Sequence, residues 1–262
     1  MEPVKPNFMA ILLVVPSLLF SSMVTSEEVE DEREFNYFEG SSVGPEHWGK
    51  IHRKWAACSN GQMQSPINLL ENNVEVLDHQ GKLKRRYNAS QAILMNRGHD
   101  LMIKWLERPG SIYINGTEYF LLQFHWHSPS EPQKGHMVHE SSDKKIAVVG
   151  ILYKYGQPDR FLSRMENYIY KIADKAQRKE PLGKVNPKDI KLRSKEYYRY
   201  VGSLTIPPCT EVVMWTILKK VSHPHADTKA HRTQNPVRGI FFLDDSKGNP
   251  PSRITFVIGS VD

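Results

Sequence analysis

Cysteine is scarce in this 262-residue chain, confined to Cys58 and Cys209. Two thiols cannot build a small scaffold stapled by many disulfides or a four-thiolate zinc site. Long apolar runs are also missing. The most extended one, Phe8 to Phe20, is interrupted by Pro16 and falls short of the ~20 apolar residues that a bilayer-spanning helix needs. No repeat, low-complexity tract or Pro/Gly-rich linker divides the remainder, which argues for one domain. Aromatic residues, by contrast, make up 10% of the chain and charged residues 24%, a composition too rich in large side chains for a disordered protein. The balance of 35 Lys+Arg against 29 Asp+Glu gives a net charge of +6. That permits an anionic partner without pointing to one.

The N-terminus reads as an address. Lys5 precedes the Phe8–Phe20 run, Val24-Thr25-Ser26 follow it, and the chain turns acidic from Glu27. A basic start, a short apolar stretch and a small-residue exit predict a secretory signal peptide over residues 1–26, with a transmembrane helix as the alternative. An acidic tail over 27–34 and a single domain over 35–262 follow. The expected destination is extracellular or lumenal, or a plastid reached through the secretory route, with no membrane span in the mature chain. Asn88-Ala89-Ser90 and Asn115-Gly116-Thr117 are glycosylation sequons, which belong to that compartment. So does a disulfide between the two cysteines; two buried free thiols are the other reading.

Strand-like stretches dominate: 92–95, 101–106, 111–114, 119–127, 146–153 and 212–218. The segment Tyr119 to His127 alternates only in part and is rich in aromatics, as a buried strand can be. One amphipathic helix is predicted from Arg160 to Lys175, with Phe161, Met165, Ile169 and Ile172 on one face. The segment Lys171–Arg199 carries ten basic and four acidic residues. Few aromatics are interleaved there to stack bases, so a solvated face is expected and nucleic acid is not. The fold class expected is α+β and β-dominated: a single domain around a large twisted, mostly antiparallel sheet with peripheral short helices.

The chemistry lies in the histidines. His125 and His127 are two apart on a predicted strand, so both imidazoles leave the same face and can reach one ion. His136, with His139 close behind, is a candidate third ligand from a neighbouring strand. Three neutral imidazoles and an open fourth position suit catalytic zinc. Two strand histidines satisfied by ordinary hydrogen bonds are the competing reading of the spacing alone.

Five motifs then occur in order: Gln64-Ser65-Pro66-Ile67-Asn68, Asn96-Arg97-Gly98-His99-Asp100, Gln123 to Glu131 (QFHWHSPSE), His136-Met137-Val138-His139 and Ser203 to Cys209 (SLTIPPC). Together they resemble the alpha-class carbonic anhydrases, most closely the plant, secretory-pathway branch, from about Phe35 to Val221. The resemblance implies Zn2+ held by His125, His127 and His136, with Gln123 orienting His125. It implies that His99 carries protons between the site and buffer, a task suited to an imidazole. Thr205 would accept the hydrogen of the attacking hydroxide and Glu131 would accept the proton of Thr205. Val138, Val148, Leu204 and Trp215 would form the apolar wall for carbon dioxide, and Ile206 would narrow and dry the bicarbonate side. Cys58 and Cys209 match the family's disulfide, which pins the loop carrying Thr205. Other roles stay open from the residues alone: His99 as an exposed loop histidine, Thr205 as a strand cap, Glu131 as a turn charge.

The chain departs from that pattern twice. His136 follows His127 after only nine positions, a shortened hairpin, and the glutamate expected two residues before the third ligand is Lys134. After Val221 the C-terminus is atypical, ending in the short apolar stretch Ile254 to Ile258. The expected function is zinc-dependent reversible hydration of carbon dioxide. The alternative is a catalytically weak or inactive carbonic-anhydrase-like binding or storage protein.

Overall fold

In the computed structural model, the structure describes residues 34–38, 40–67, 69, 74–78, 83–126, 133–153, 159–174, 176–192, 194, 196–219 and 254–258. The expected signal peptide, nearly all of the expected acidic tail, and His127, Ser128, Pro129, Ser130 and Glu131 lie outside the described residues. No helix among the described residues is long and apolar enough to cross a membrane.

Twelve strands among the described residues join into one sheet. In chain order they are β1 (Val74–Asp78), β2 (Lys84–Tyr87), β3 (Ser90–Asn96), β4 (Leu101–Trp105), β5 (Gly110–Ile114), β6 (Thr117–Trp126), β7 (Gln133–Ser141), β8 (Ile146–Tyr153), β9 (Lys179–Val185), β10 (Glu196–Ser203), β11 (Glu211–Leu218) and β12 (Ile254–Ile258). The spatial order is β1-β12-β10-β11-β8-β7-β6-β4-β3-β9, with β5 also on β6 and β2 on β5. Only β1 with β12 and β8 with β11 run parallel. The helices are short and peripheral: α1 (Trp48–Ile51), α2 (Ala57–Asn60) and α3 (Arg160–Ile172). The β-dominated α+β architecture read from the sequence is the one observed.

The six stretches read as strands correspond to β3, β4, β5, β6, β8 and β11. The short C-terminal stretch is a strand too, inserted between β1 and β10. Strands β2 and β9 were not anticipated because charge masks them. β9 is an outer strand whose residues Lys179, Pro181, Gly183 and Lys184 are exposed, the composition that discourages edge-to-edge pairing. At the β5–β6 turn, Asn115 and Gly116 both have positive φ, 49° and 80°, as a two-residue hairpin of this type requires. The sequon residues Asn88 and Asn115 are both exposed.

The middle of the sheet separates two apolar layers. On one face Leu94, Ile103, Leu121, Phe124, Met137, Val149 and Ile151 pack against Phe161, Leu162, Met165, Ile169 and Ile172 of α3. On the other, Val138, Ile146, Val148, Tyr200, Leu204, Val213 and Trp215 form a smaller cluster. The N-terminal segment contributes a third, in which Phe35, Trp48 and Trp55 surround Cys58, Ile206 and Cys209.

Helix α3 buries the predicted face but ends three residues earlier than expected. Asn96 explains where it stops, because its Nδ2 donates to the terminal carbonyls of Ile172 and Ala173 at 3.0 and 3.1 Å. At the other end, the Asp159 carboxylate accepts from the Phe161 and Leu162 amides at 2.9 and 3.2 Å, satisfying donors that have no partner within the helix. Asp159→Ala is therefore expected to destabilise the fold by about 1 kcal/mol, and Asp159→Asn by much less. Urea unfolding midpoints at constant m-value check this.

Candidate metal centre

Strand β6 has to face both layers at once, and it does so through a bulge. Leu121 pairs with His139 and Gln123 with Val138, so Leu122 is the extra residue on β6. The inserted residue inverts the alternation. Before it, Tyr119 and Leu121 face the helix-covered core; after it, Phe124 and Trp126 do. Gln123 and His125 are thereby placed on the opposite face with His136, the direct partner of His125 on β7.

The two imidazoles meet there. His125 Nε2 lies 3.1 Å from His136 Nδ1, and His125 Nδ1 lies 2.8 Å from Gln123 Oε1. The amide oxygen can only accept, so Nδ1 of His125 carries the hydrogen and Nε2 presents a lone pair. That lone pair is directed at a second ring nitrogen. Two nitrogens on one tetrahedral zinc ion at 2.0–2.1 Å lie about 3.3 Å apart, so this donor pair fits a shared ion. His127, two residues beyond His125, lies outside the described residues, and among those described no three metal-binding side chains assemble.

The surroundings are apolar on one side. Val138, Val148, Leu204 and Trp215, all expected in a substrate wall, belong to the same cluster. Trp215 packs edge-on against His136 with centroids 5.2 Å apart, stacks on Tyr200, and donates from Nε1 to the Ser203 carbonyl at 2.9 Å. Lys134 shares the His136 face of β7 by alternation. It is half-buried, and burial pushes its ammonium below the usual lysine range.

Thr205, half-buried, sits in the loop between β10 and β11, which is fixed from two sides. The Cys58–Cys209 disulfide is present, with 5.1 Å between its Cα atoms. Ser65 and Ser203 exchange hydrogen bonds, each hydroxyl accepting from the other's amide at 2.9 and 3.1 Å. The Glu211 carboxylate accepts from the Met63 amide at 2.6 Å and from Gln64 Nε2 at 3.0 Å. Ile206 packs with Phe35, Trp48 and Trp55 rather than with the Trp215 cluster. Tyr200, Val213 and Glu211 were not singled out from the sequence, and Ser203 only as the start of a motif. Glu211 in particular carries no local signal, since its partners lie about 148 positions away.

His99 is buried, so the exposed-loop reading of it does not hold. Its ring lies 5.4 Å from Phe35 and 6.4 Å from Tyr37, and its Nε2 is 3.5 Å from Asp100 Oδ2. Asp100 is in turn clamped by Arg97, whose Nε donates to Oδ1 at 2.7 Å while a terminal nitrogen pairs with Oδ2. Burial alone would raise the Asp100 carboxyl, but the Arg97 guanidinium, joined by His99 and His125, holds it well below the usual carboxylate range.

His139 faces away from the candidate centre, into the helix-covered core. Its Nδ1 donates to the carbonyls of Met137 and Ala147, at 3.0 and 3.3 Å, and its Nε2 accepts from the Tyr87 hydroxyl at 2.7 Å. Complete burial pushes its pKa down to about 3, against the opposing effect of those carbonyls. Between pH 6.5 and 3 the unfolded chain therefore takes up a proton at this residue that the folded chain refuses. Stability is complete above the unfolded value and is lost as pH falls, by at most about 1.4 kcal/mol per pH unit. His139→Gln is expected to flatten the acid limb of the stability–pH curve by one proton, as measured by urea unfolding at pH 4 to 7.

Residues 43–234 match the model of the eukaryotic-type carbonic anhydrase family. Alpha carbonic anhydrase 7 of Arabidopsis thaliana is 45% identical over 223 residues, covering 82% of this chain and 81% of that protein. Alpha carbonic anhydrase 2 of the same plant is 47% identical over 211 residues, covering 77% and 86%. Among solved structures, dioscorin complexed with ascorbate superposes with a TM-score of 0.75 at 35% identity, covering 87% of this chain and 99% of that one. By the extent of these matches, and in keeping with its histidine pair and strand-dominated fold, this chain belongs to the eukaryotic-type alpha carbonic anhydrase family.

Proposed function

We propose that the protein catalyses the reversible hydration of carbon dioxide, with zinc held by His125, His127 and His136. The observation that carries this reading is the convergence of His125 Nε2 and His136 Nδ1 at 3.1 Å, with Gln123 fixing the His125 tautomer. When bound, zinc supplies Lewis acidity that makes a hydroxide nucleophile available near neutral pH, as is established for this family.

The chain's own residues do the rest. Val138, Val148, Leu204 and Trp215 give a weakly polar substrate an apolar surface to rest on. Thr205 accepts the hydrogen of the attacking hydroxide and so sets the direction of its lone pair, a near-attack arrangement. Glu131, outside the described residues, is assigned by its motif as the acceptor for the Thr205 hydroxyl. The disulfide and the Ser65–Ser203 pair hold the Thr205 loop still, so that little reorganisation is needed when the substrate arrives. His99 takes the proton released at each turnover and passes it to buffer. Passage through the secretory pathway, with glycans at Asn88 and Asn115, is supported by their exposure and by the disulfide.

Lys134 favours a second reading, in which the protein binds zinc weakly and turns over slowly or not at all, serving as a binding or storage protein. A half-buried cation on the ligand face opposes a second cation, and an orienting partner of a ligand is typically worth 10–100-fold in metal affinity or activity. On the first reading, purified protein holds one equivalent of zinc and hydrates carbon dioxide, and His136→Ala loses both. If the protein holds zinc only when Lys134→Glu is introduced, the second reading stands. Metal analysis after dialysis, paired with stopped-flow hydration assays, separates them.

A further inference from the structure

We propose that the Arg199 guanidinium, held by Thr216 and Tyr197, is a binding site for a small two-oxygen anion of the carboxylate class, bicarbonate included. It lies on the side of the sheet away from the histidine pair and stands independently of the hydration reading.

The placement follows from register. Tyr197, Arg199 and Val201 share one face of β10 by alternation, and Tyr197 belongs to the cluster that packs under α3. Tyr200 points to the other face, where it stacks on Trp215 beside His136. Arg199 is opposite Thr216 on β11, and Thr216 is opposite Val149 on β8. Thr216 and Val149 are fully buried. A cation therefore stands on the face from which the larger core is built, and burial pushes its guanidinium below the usual arginine range.

What holds this cation is neutral. Nε and one terminal nitrogen both donate to Thr216 Oγ1, at 3.3 and 3.2 Å. The guanidinium carbon lies over the Tyr197 ring, 4.8 Å from its centroid. Tyr119 is within electrostatic reach, and burial keeps its phenol protonated beyond the usual tyrosine range. The Asp143 carboxylate, which also acts on Tyr119, is taken up by Lys145 and Ser141. Among the described residues no carboxylate pairs with Arg199. Arg97 gives the contrast, since its Nε and a terminal nitrogen close on Asp100. A desolvated cation without a counter-ion is costly, and a bound anion relieves that cost.

The fork sets the shape of the ligand. A guanidinium carries five N–H donors, arranged so that two-pronged pairing is possible along more than one edge. Thr216 occupies the edge formed by Nε and one terminal nitrogen. The edge formed by the two terminal nitrogens keeps a parallel pair of donors. Arg199 is half-buried, and these donors are not sealed from water. The two oxygens of a carboxylate or of bicarbonate match such an edge, whereas chloride offers a single point.

Zinc-free protein provides the test, so that a metal-bound anion cannot contribute. Acetate and bicarbonate are titrated in turn at constant ionic strength, with chloride as the balancing ion. Each should raise the unfolding temperature saturably and shift the Nε–H resonance of Arg199. Arg199→Gln should weaken the effect about tenfold or more. Arg199→Lys keeps the charge but loses the fork, and should weaken it as well. A response to bicarbonate alone would assign the site to the product of the proposed reaction, and a response to both anions would assign it to carboxylates in general. If Arg199→Gln does not fold, the wild-type resonance shift decides. No saturable response in the wild-type protein, a response that survives intact in Arg199→Gln, or a chloride response of equal size would overturn the proposal.

Discussion

Strand β6 has ten residues in which to serve two layers, and a regular strand of that length would commit each parity to one of them. The extra residue Leu122 removes the conflict. Tyr119, Leu121, Phe124 and Trp126 all enter the core under α3, while Gln123 and His125 emerge together on the far face. Register on β7 then follows, because core-facing residues must meet one another: Leu121 lies opposite His139 and Phe124 opposite Met137, which leaves His125 opposite His136 on the far face. A slip by one position would drive His136 into the core and bring Met137 to the face that carries His125. The meeting of His125 and His136 is in this sense a consequence of how the core is packed.

Three buried histidines meet three different environments, and their chemistry diverges accordingly. His139 is walled in by apolar groups and two carbonyls and stays neutral far into the acid range. His125 has its tautomer set by an amide oxygen and offers a lone pair. His99 faces a carboxylate that Arg97 holds in place. Lys134 brings a cation to the face where a metal cation would sit, and burial already weakens its hold on its proton.

Local pattern made much of this legible. Runs of branched and aromatic residues marked β3 to β6, β8 and β11, and the four-residue apolar face of α3 appeared at helical spacing. The ordered motifs pointed to the Cys58–Cys209 disulfide that is present, and the histidine spacing to residues His125 and His136, which approach each other. What the sequence concealed depends on long-range pairing. The partial alternation of residues 119–127 was visible, but the bulge behind it is set by β7. Strand β9 hides in a basic segment because an outer strand has little need of apolar residues. His99, expected as a proton carrier or else as an exposed loop histidine, is buried against Phe35 and Tyr37, which are distant in sequence. Glu211 stood beside Cys209 without any sign that it would accept from residues 63 and 64.

The zinc proposal assigns the His125–His136 pair, together with His127, as nitrogen donors to one ion. X-ray absorption at the zinc edge of the purified, dialysed protein tests it most directly. One zinc per chain is expected, in a four-coordinate shell of nitrogen and oxygen donors at about 2.0 Å, with the outer-shell scattering of three imidazoles. A shell with fewer imidazoles, a sulfur donor, or protein that retains no zinc would contradict it.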